Sequence, residues 1–133
     1  MTTWVLDNEA VQALADPAHR KHRSALAVLE ARAVRATRRA PSVVVPTVVR
    51  VDAQVSRQAP GTSSLGRLRV ADVVLDGAAA DRALGLRASG ATVVDACVAQ
   101  VALDRDGDVV VVASDVRDLS RLLSASAVGV HRL

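Results

Sequence analysis

Three features of the 133-residue chain predict an α/β fold with a five-stranded parallel sheet between two helical layers. Apolar runs rich in valine, Val43-Val44-Val45 and Val109–Val112, are short and bounded by turn-forming or polar residues, as in strands buried on both faces. Each is followed by a segment whose apolar residues recur at helical spacing. Strand and helix alternate along the chain with no internal repeat, which is the order that builds a parallel sheet covered on both sides. The length suits one domain, taken as residues 1–133.

The elements follow in order. Trp4-Val5-Leu6 is a short strand ending in Asp7, and Asn8-Glu9-Ala10 opens a helix carrying Val11, Leu14 and Ala15 that Asp16-Pro17 stops. A long helix is expected from about Pro17 to Arg39, with Ala25, Leu26, Leu29, Ala33 and Ala36 as its apolar stripe. Pro41 breaks it, Ser42–Val45 is the second strand, and Thr47–Arg57 reads as a helix with Val48, Val51 and Val55 on one face. Gln58–Gly66 is a loop by composition. A third strand around Val70–Leu75 leads into an alanine-rich helix, Gly77–Arg87, which Ser89-Gly90 ends. Thr92–Leu103 is a further helix, and Val109–Ala113 a buried strand handing over at Ser114-Asp115 to a helix with Val116, Leu119, Leu122 and Leu123. Ala127–Val130 is the expected edge strand.

Composition bounds the function. Trp4 is the sole aromatic, so the chain has almost nothing on which to stack unpaired bases. Cys97 is alone, which removes disulfide frameworks, CxxC redox chemistry and cysteine zinc sites and agrees with a reducing compartment. With no secretory signal and no apolar run near the roughly 20 residues of a membrane span, a cytoplasmic protein without a membrane partner is expected. The formal net charge is +3, and of the 17 basic residues only Lys21 is lysine. Arginine forks onto phosphate oxygens, although a GC-rich genome also enriches it. The most basic element is the predicted helix 17–39, with Arg20, Lys21, Arg23, Arg32, Arg35, Arg38 and Arg39 against Glu30. Such a face is either simply solvated or turned to phosphates.

Several familiar motifs are missing. Gly61–Arg67 copies a phosphate loop without its lysine and hydroxyl, and neither GxGxxG nor GxSxG occurs. His19 and His22 lack a third nitrogen or sulfur ligand, and Asp104, Asp106 and Asp108 have the glycine of a calcium loop in the wrong place.

Acids at strand ends remain. Asp7 ends the first strand, Asp52 lies in the helix after the second, Asp95 opens the helix before Val109–Ala113, and Asp115 and Asp118 follow that strand. Each also reads as a helix cap or first-turn acid: Asp7 for its own helix, Thr92-Val93-Val94-Asp95 as a capping box, Asp115 ahead of Asp118. Doubly wound sheets commonly place the first and fourth strands side by side, which would bring Asp7 and Asp115 into one crevice at the carboxyl edge. Two unpaired carboxylates about 4 Å apart repel by roughly 4 kcal/mol at an effective dielectric near 20, and a cation relieves this. Oxygen ligands point to Mg²⁺ or Mn²⁺, and a hard cation on a basic protein points to phosphoryl chemistry.

The series VLDNEA, VVPTVVRVDAQV, VVDACVAQVAL and VVVVASDVRDLSRLL, in this order, resembles the PIN domain family, in particular the VapC-like toxin ribonucleases of type II toxin–antitoxin pairs. The resemblance spans the chain. It implies a three-layer α/β/α fold, a homodimer, a small antitoxin partner, an RNA substrate and Mg²⁺ or Mn²⁺ as cofactor. It also implies Asp7, Asp95 and Asp115 as metal ligands, Asp118 with them in the acidic set, and Ser114 as a hydroxyl neighbour. Two positions depart from the family pattern: Asp52 stands where glutamate is usual, and Glu9 where a small hydroxyl residue is commoner.

The leading expectation is therefore an endoribonuclease in which Asp52 and Asp118 are outer ligands or water positioners, Glu9 either supplements Asp52 or is incidental, and Arg32, Arg35, Arg38 and Arg39 hold the RNA backbone. The alternative is a weak or inactive PIN-like module that binds RNA or protein, suggested by the shorter Asp52. A phosphorelay receiver fits worst, since Asp7-Asn8-Glu9 is a poor acid pair and Lys21 belongs to the basic helix rather than to the end of the last strand.

Overall fold

The computed structural model describes residues 2–33 and 43–133. Five strands, β1 (Thr2–Leu6), β2 (Val43–Pro46), β3 (Ala71–Val73), β4 (Asp108–Ala113) and β5 (Gly129–Arg132), form one sheet in the order β3-β2-β1-β4-β5. Every pairing is parallel. Around it lie α1 (Asn8–Ala15), α2 (His22–Ala33), α3 (Thr47–Asp52), α4 (Ser63–Arg67), α5 (Gly77–Arg87), α6 (Val93–Leu103) and α7 (Arg117–Leu123). All four residues of β2 and the last three of β1 and β4 are buried. Successive side chains point to opposite faces, so this burial requires helices on both sides. One layer is α6 between α5 and α7, packed across β1, β2 and β4; α1, beside α2 and α4, packs against β4. The result is the expected α/β/α arrangement. Receivers order their strands 2-1-3-4-5, which this sheet does not.

The order places a switch point between β1 and β4. From β1 the chain steps outward through β2 and β3, then crosses back to add β4 and β5 on the other side. In such sheets the crevice at the carboxyl ends of the two switch strands is the usual ligand site.

Several local expectations are corrected. The second helix begins at His22, because the Asp16 carboxylate accepts from Ala18 N at 2.9 Å and turns the chain first. Its predicted end, including Ala36, Arg35, Arg38 and Arg39, falls outside the described residues, as does the Arg32 side chain. The helix after β2 stops at Asp52, and Gln54 takes a left-handed φ of 57°. Its inward residue is Val49, while Val51 is 78% exposed. The expected loop at 58–66 instead leads into α4, whose Ser64 hydroxyl donates to the Leu14 carbonyl. The third strand is only Ala71–Val73, and β5 starts two residues later than the expected edge strand, at Gly129.

Gly61 secures the loop before α4. Its φ is +89°, and a Cβ there would stand 3.3 Å from the Ala15 carbonyl and 3.4 Å from Pro17 Cδ. Gly61→Ala is expected to cost about 1–2 kcal/mol through the left-handed backbone and the tight contact, read as a lower thermal midpoint. Among the described residues no helix is long and apolar enough to cross a membrane.

Candidate active site

Strand register builds the site. Leu6 pairs with Val112, so the chain leaves β1 at Asp7 beside the point where it leaves β4 at Ser114, and Asp7 N donates to the Val112 carbonyl at 3.1 Å. The Asp7 carboxylate bridges both strand ends: Oδ1 accepts from Ala10 N at 2.8 Å, which caps α1, and Oδ2 accepts from Ser114 N at 3.4 Å. Capping and site-building are thus the same contact. Asp7 is only 5% exposed, and this burial pushes its pKa up to about 6. The two N–H donors oppose the rise, and Glu9 and Asp95 add to it by repulsion.

Asp95 stands in the first turn of α6, and its N–H donates to Thr92 Oγ1 at 3.1 Å, which is the Thr92 half of the expected capping box. Its carboxyl is also raised, first by burial and then by repulsion from Asp118 and Asp115, against hydrogen bonding to Thr92. Asp115 Oδ1 accepts from Arg117 N at 3.2 Å and so turns the chain from β4 into α7, where Asp118 lies in the first turn. Asp7 therefore feels Asp95, and Asp95 feels Asp115 and Asp118. Asp95 is thus the acid that links Asp7 to the pair after β4, while Asp118 also pairs with Arg121 at 3.7 Å.

Asp52 is not brought into that group directly. It is exposed, and its Oδ2 accepts from Asn8 Nδ2 at 3.0 Å, so it reaches the site through the residue next to Asp7. Among the described residues no three His, Cys, Asp or Glu side chains stand close enough together to hold a metal ion. The donor chemistry at the crevice, carboxylate and hydroxyl oxygen, suits a hard divalent cation, and the burial and repulsion at Asp7 and Asp95 are what a cation would offset. His19 and His22 are occupied elsewhere: Lys21 N donates to His19 Nδ1 at 3.1 Å, and His22 Nδ1 lies 2.6 Å from the Ala13 carbonyl. Trp4 is buried at 5% exposure, edge-on to His131.

Two participants escaped the sequence reading. Asn8 escaped because a residue opening a helix reads as solvent-facing. Lys21, expected on the basic helix, lies instead in the turn before α2, and its Nζ donates to Ser114 Oγ at 3.0 Å and pairs with Glu9 Oε1 at 3.1 Å. The Ser114 hydroxyl, then Lys21, hold the Glu9 carboxyl below its ordinary range against the effect of burial. Compared with protein-family models and with curated proteins, the chain matches none.

Proposed function

We propose that this chain is a metal-dependent endoribonuclease of the PIN type, with Mg²⁺ or Mn²⁺ as cofactor. The observation that carries the reading is the group formed by Asp7, Asp95, Asp115 and Asp118 at the switch-point edge, with its buried Asp7. Asp7, Asp95 and Asp115 are the carboxylates that would supply oxygens to such an ion once drawn closer together than they stand in the ion-free chain, and the ion would supply an activated water and neutralise charge on the scissile phosphate. The chain's own part is orientation. The N–H groups of Ala10 and Ser114 fix both oxygens of Asp7, and the turn bond from Arg117 fixes Asp115. Asp118, and Asp52 held at the rim by Asn8, would serve as outer ligands or position the attacking water. The resemblance extends this reading to a homodimeric, cytoplasmic toxin restrained by a small antitoxin.

The direct test is incubation of RNA with the native chain and with Asp7→Asn in Mg²⁺ or Mn²⁺. Cleavage by the native protein alone supports the reading; equal cleavage by both removes the site assignment.

A second reading, a PIN-like module that binds RNA or protein without cutting, is favoured by the exposure of Asp52 at the rim. The longer carboxylate of Asp52→Glu distinguishes the two. If the native chain is the nuclease, the variant changes the rate by less than about tenfold, roughly 1.4 kcal/mol. If the variant cuts RNA and the native chain does not, the natural protein is the binder.

A further inference from the structure

Lys21 is the chain's only lysine, and the fold carries it to a position 93 residues away in sequence. Its backbone is fixed first: the N–H donates to His19 Nδ1 and the carbonyl accepts from Ala25 N at 2.9 Å, opening α2. The side chain then crosses to the end of β4. An ammonium has three donors. Ser114 Oγ takes one and Glu9 Oε1 another, while the side chain stays 24% exposed. Among the described residues, nothing else engages the third.

Stability alone is a weak reason for this arrangement, because an ion pair with both partners about a quarter exposed contributes little. Position is a better one. Ser114 donates its N–H to Asp7 and accepts from Lys21 Nζ at its hydroxyl oxygen, so one residue ties the buried carboxylate to the cation. A polyanion entering this crevice meets Asp7, Asp95, Asp115 and Asp118, which repel it. Arg121 pairs with Asp118 at 3.7 Å, and Lys21 is the positive group joined to the buried Asp7 through Ser114, its ammonium held by Glu9. A compact ammonium on a flexible stem is a point-charge phosphate binder, whereas the other basic residues of this chain are planar arginines.

We propose that Lys21 is a substrate-binding residue whose ammonium, steadied by Glu9 and Ser114, contacts a backbone phosphate of RNA at the switch-point crevice. This rests on the nuclease reading. The contact reads no base, so it adds affinity uniformly across sequences.

The test uses the full chain and a short fluorescein-labelled single-stranded RNA, with anisotropy measured in Ca²⁺ across a series of NaCl concentrations. Probe integrity is checked on a gel, and cleavage in Mg²⁺ or Mn²⁺ is followed separately. Lys21→Met is expected to weaken binding about tenfold and to reduce the slope of log K against log salt by about 0.7, the share of one phosphate contact on a single strand. Lys21→Arg keeps the charge and should keep most of the slope, and both variants should melt with the native protein. If Lys21→Met binds with native affinity and slope while the native chain still cuts RNA, the Lys21 proposal falls and the nuclease reading stands. If both variants lose affinity and melt early with the slope unchanged, Lys21 is structural and the proposal is overturned. If the native chain neither binds nor cuts RNA, both readings fall together.

Discussion

Asp7→Asn is expected to abolish metal-dependent cleavage and, in the same protein, to raise thermal stability above about pH 6. Loss of a charged group at the reacting centre costs on the order of 10²–10³ in rate, roughly 3–4 kcal/mol. The stability gain comes from burial. In the unfolded chain Asp7 ionises near 3.8, but in the fold it keeps its proton to about 6. Below the lower value both states are protonated and the native fold carries no penalty. As pH rises through the folded pKa that advantage is lost, because the unfolded state gives up its proton first. The difference of about two pKa units corresponds to roughly 3 kcal/mol of destabilisation in the ion-free protein at neutral pH. Asparagine removes the charge and retains an oxygen for Ala10 N, but its amide opposes the long contact from Ser114 N. A net gain of about 2 kcal/mol is expected, several degrees in midpoint for a domain of this size. Thermal melts across pH should therefore separate native and variant at about pH 8 and bring them together near pH 4. A variant that is inactive but melts earlier than the native chain at every pH would show that Asp7 acts only as a cap.

The carboxylates at β1 and β4 were legible because a parallel strand ends abruptly and a polar residue at that end has few places to go. Two-sided burial made the valine runs conspicuous, and the β1–β4 register then placed Asp7 beside Ser114. Asp95 and Asp118 were legible for the same reason one step on, in the first turns of helices that follow a capping residue or a strand end. The helix that carries Asp52 is shorter than the sequence suggests because valines at 48, 51 and 55 imitate a longer one; the chain breaks at Gln54, and Val49 with Ala53 faces inward instead. The turn at 16–21 and α4 were hidden by short side chains that bond to backbone, Asp16 in one and Ser64 in the other, contacts that leave no periodic trace. Lys21 was beyond reach for a different reason. Its partners, Glu9 and Ser114, come from two distant elements, and nothing local marks a lysine whose role is tertiary.

Leu119→Ala carries the largest expected loss of stability and ties packing to the site. The helix it anchors, α7, has seven residues, and its N-terminal flank, Val116, offers no side-chain cap. Isolated helices of that length do not persist in water, so α7 depends on what its inward face buries. That face is Leu119, fully buried, and Leu123, at 2% exposure. Truncating Leu119 removes the transfer energy of the side chain and leaves a cavity, together about 2–5 kcal/mol and a fall in midpoint of the order of 10 °C. The same helix carries Asp118 and follows directly from Asp115, so loosening it moves two carboxylates relative to Asp7 and Asp95. Displacements near 1 Å at a reacting centre cost on the order of 10²-fold in rate. Leu65→Ala in α4 is the matched control: Leu65 is 1% exposed, in a helix that carries none of the four acids. Both variants should lose comparable stability by denaturant titration. Assayed well below either midpoint, Leu119→Ala should lose cleavage by tenfold or more while Leu65→Ala stays within about twofold of native. Equal loss in the two would mean that activity follows global stability, and that α7 contributes no particular positioning to Asp115 and Asp118.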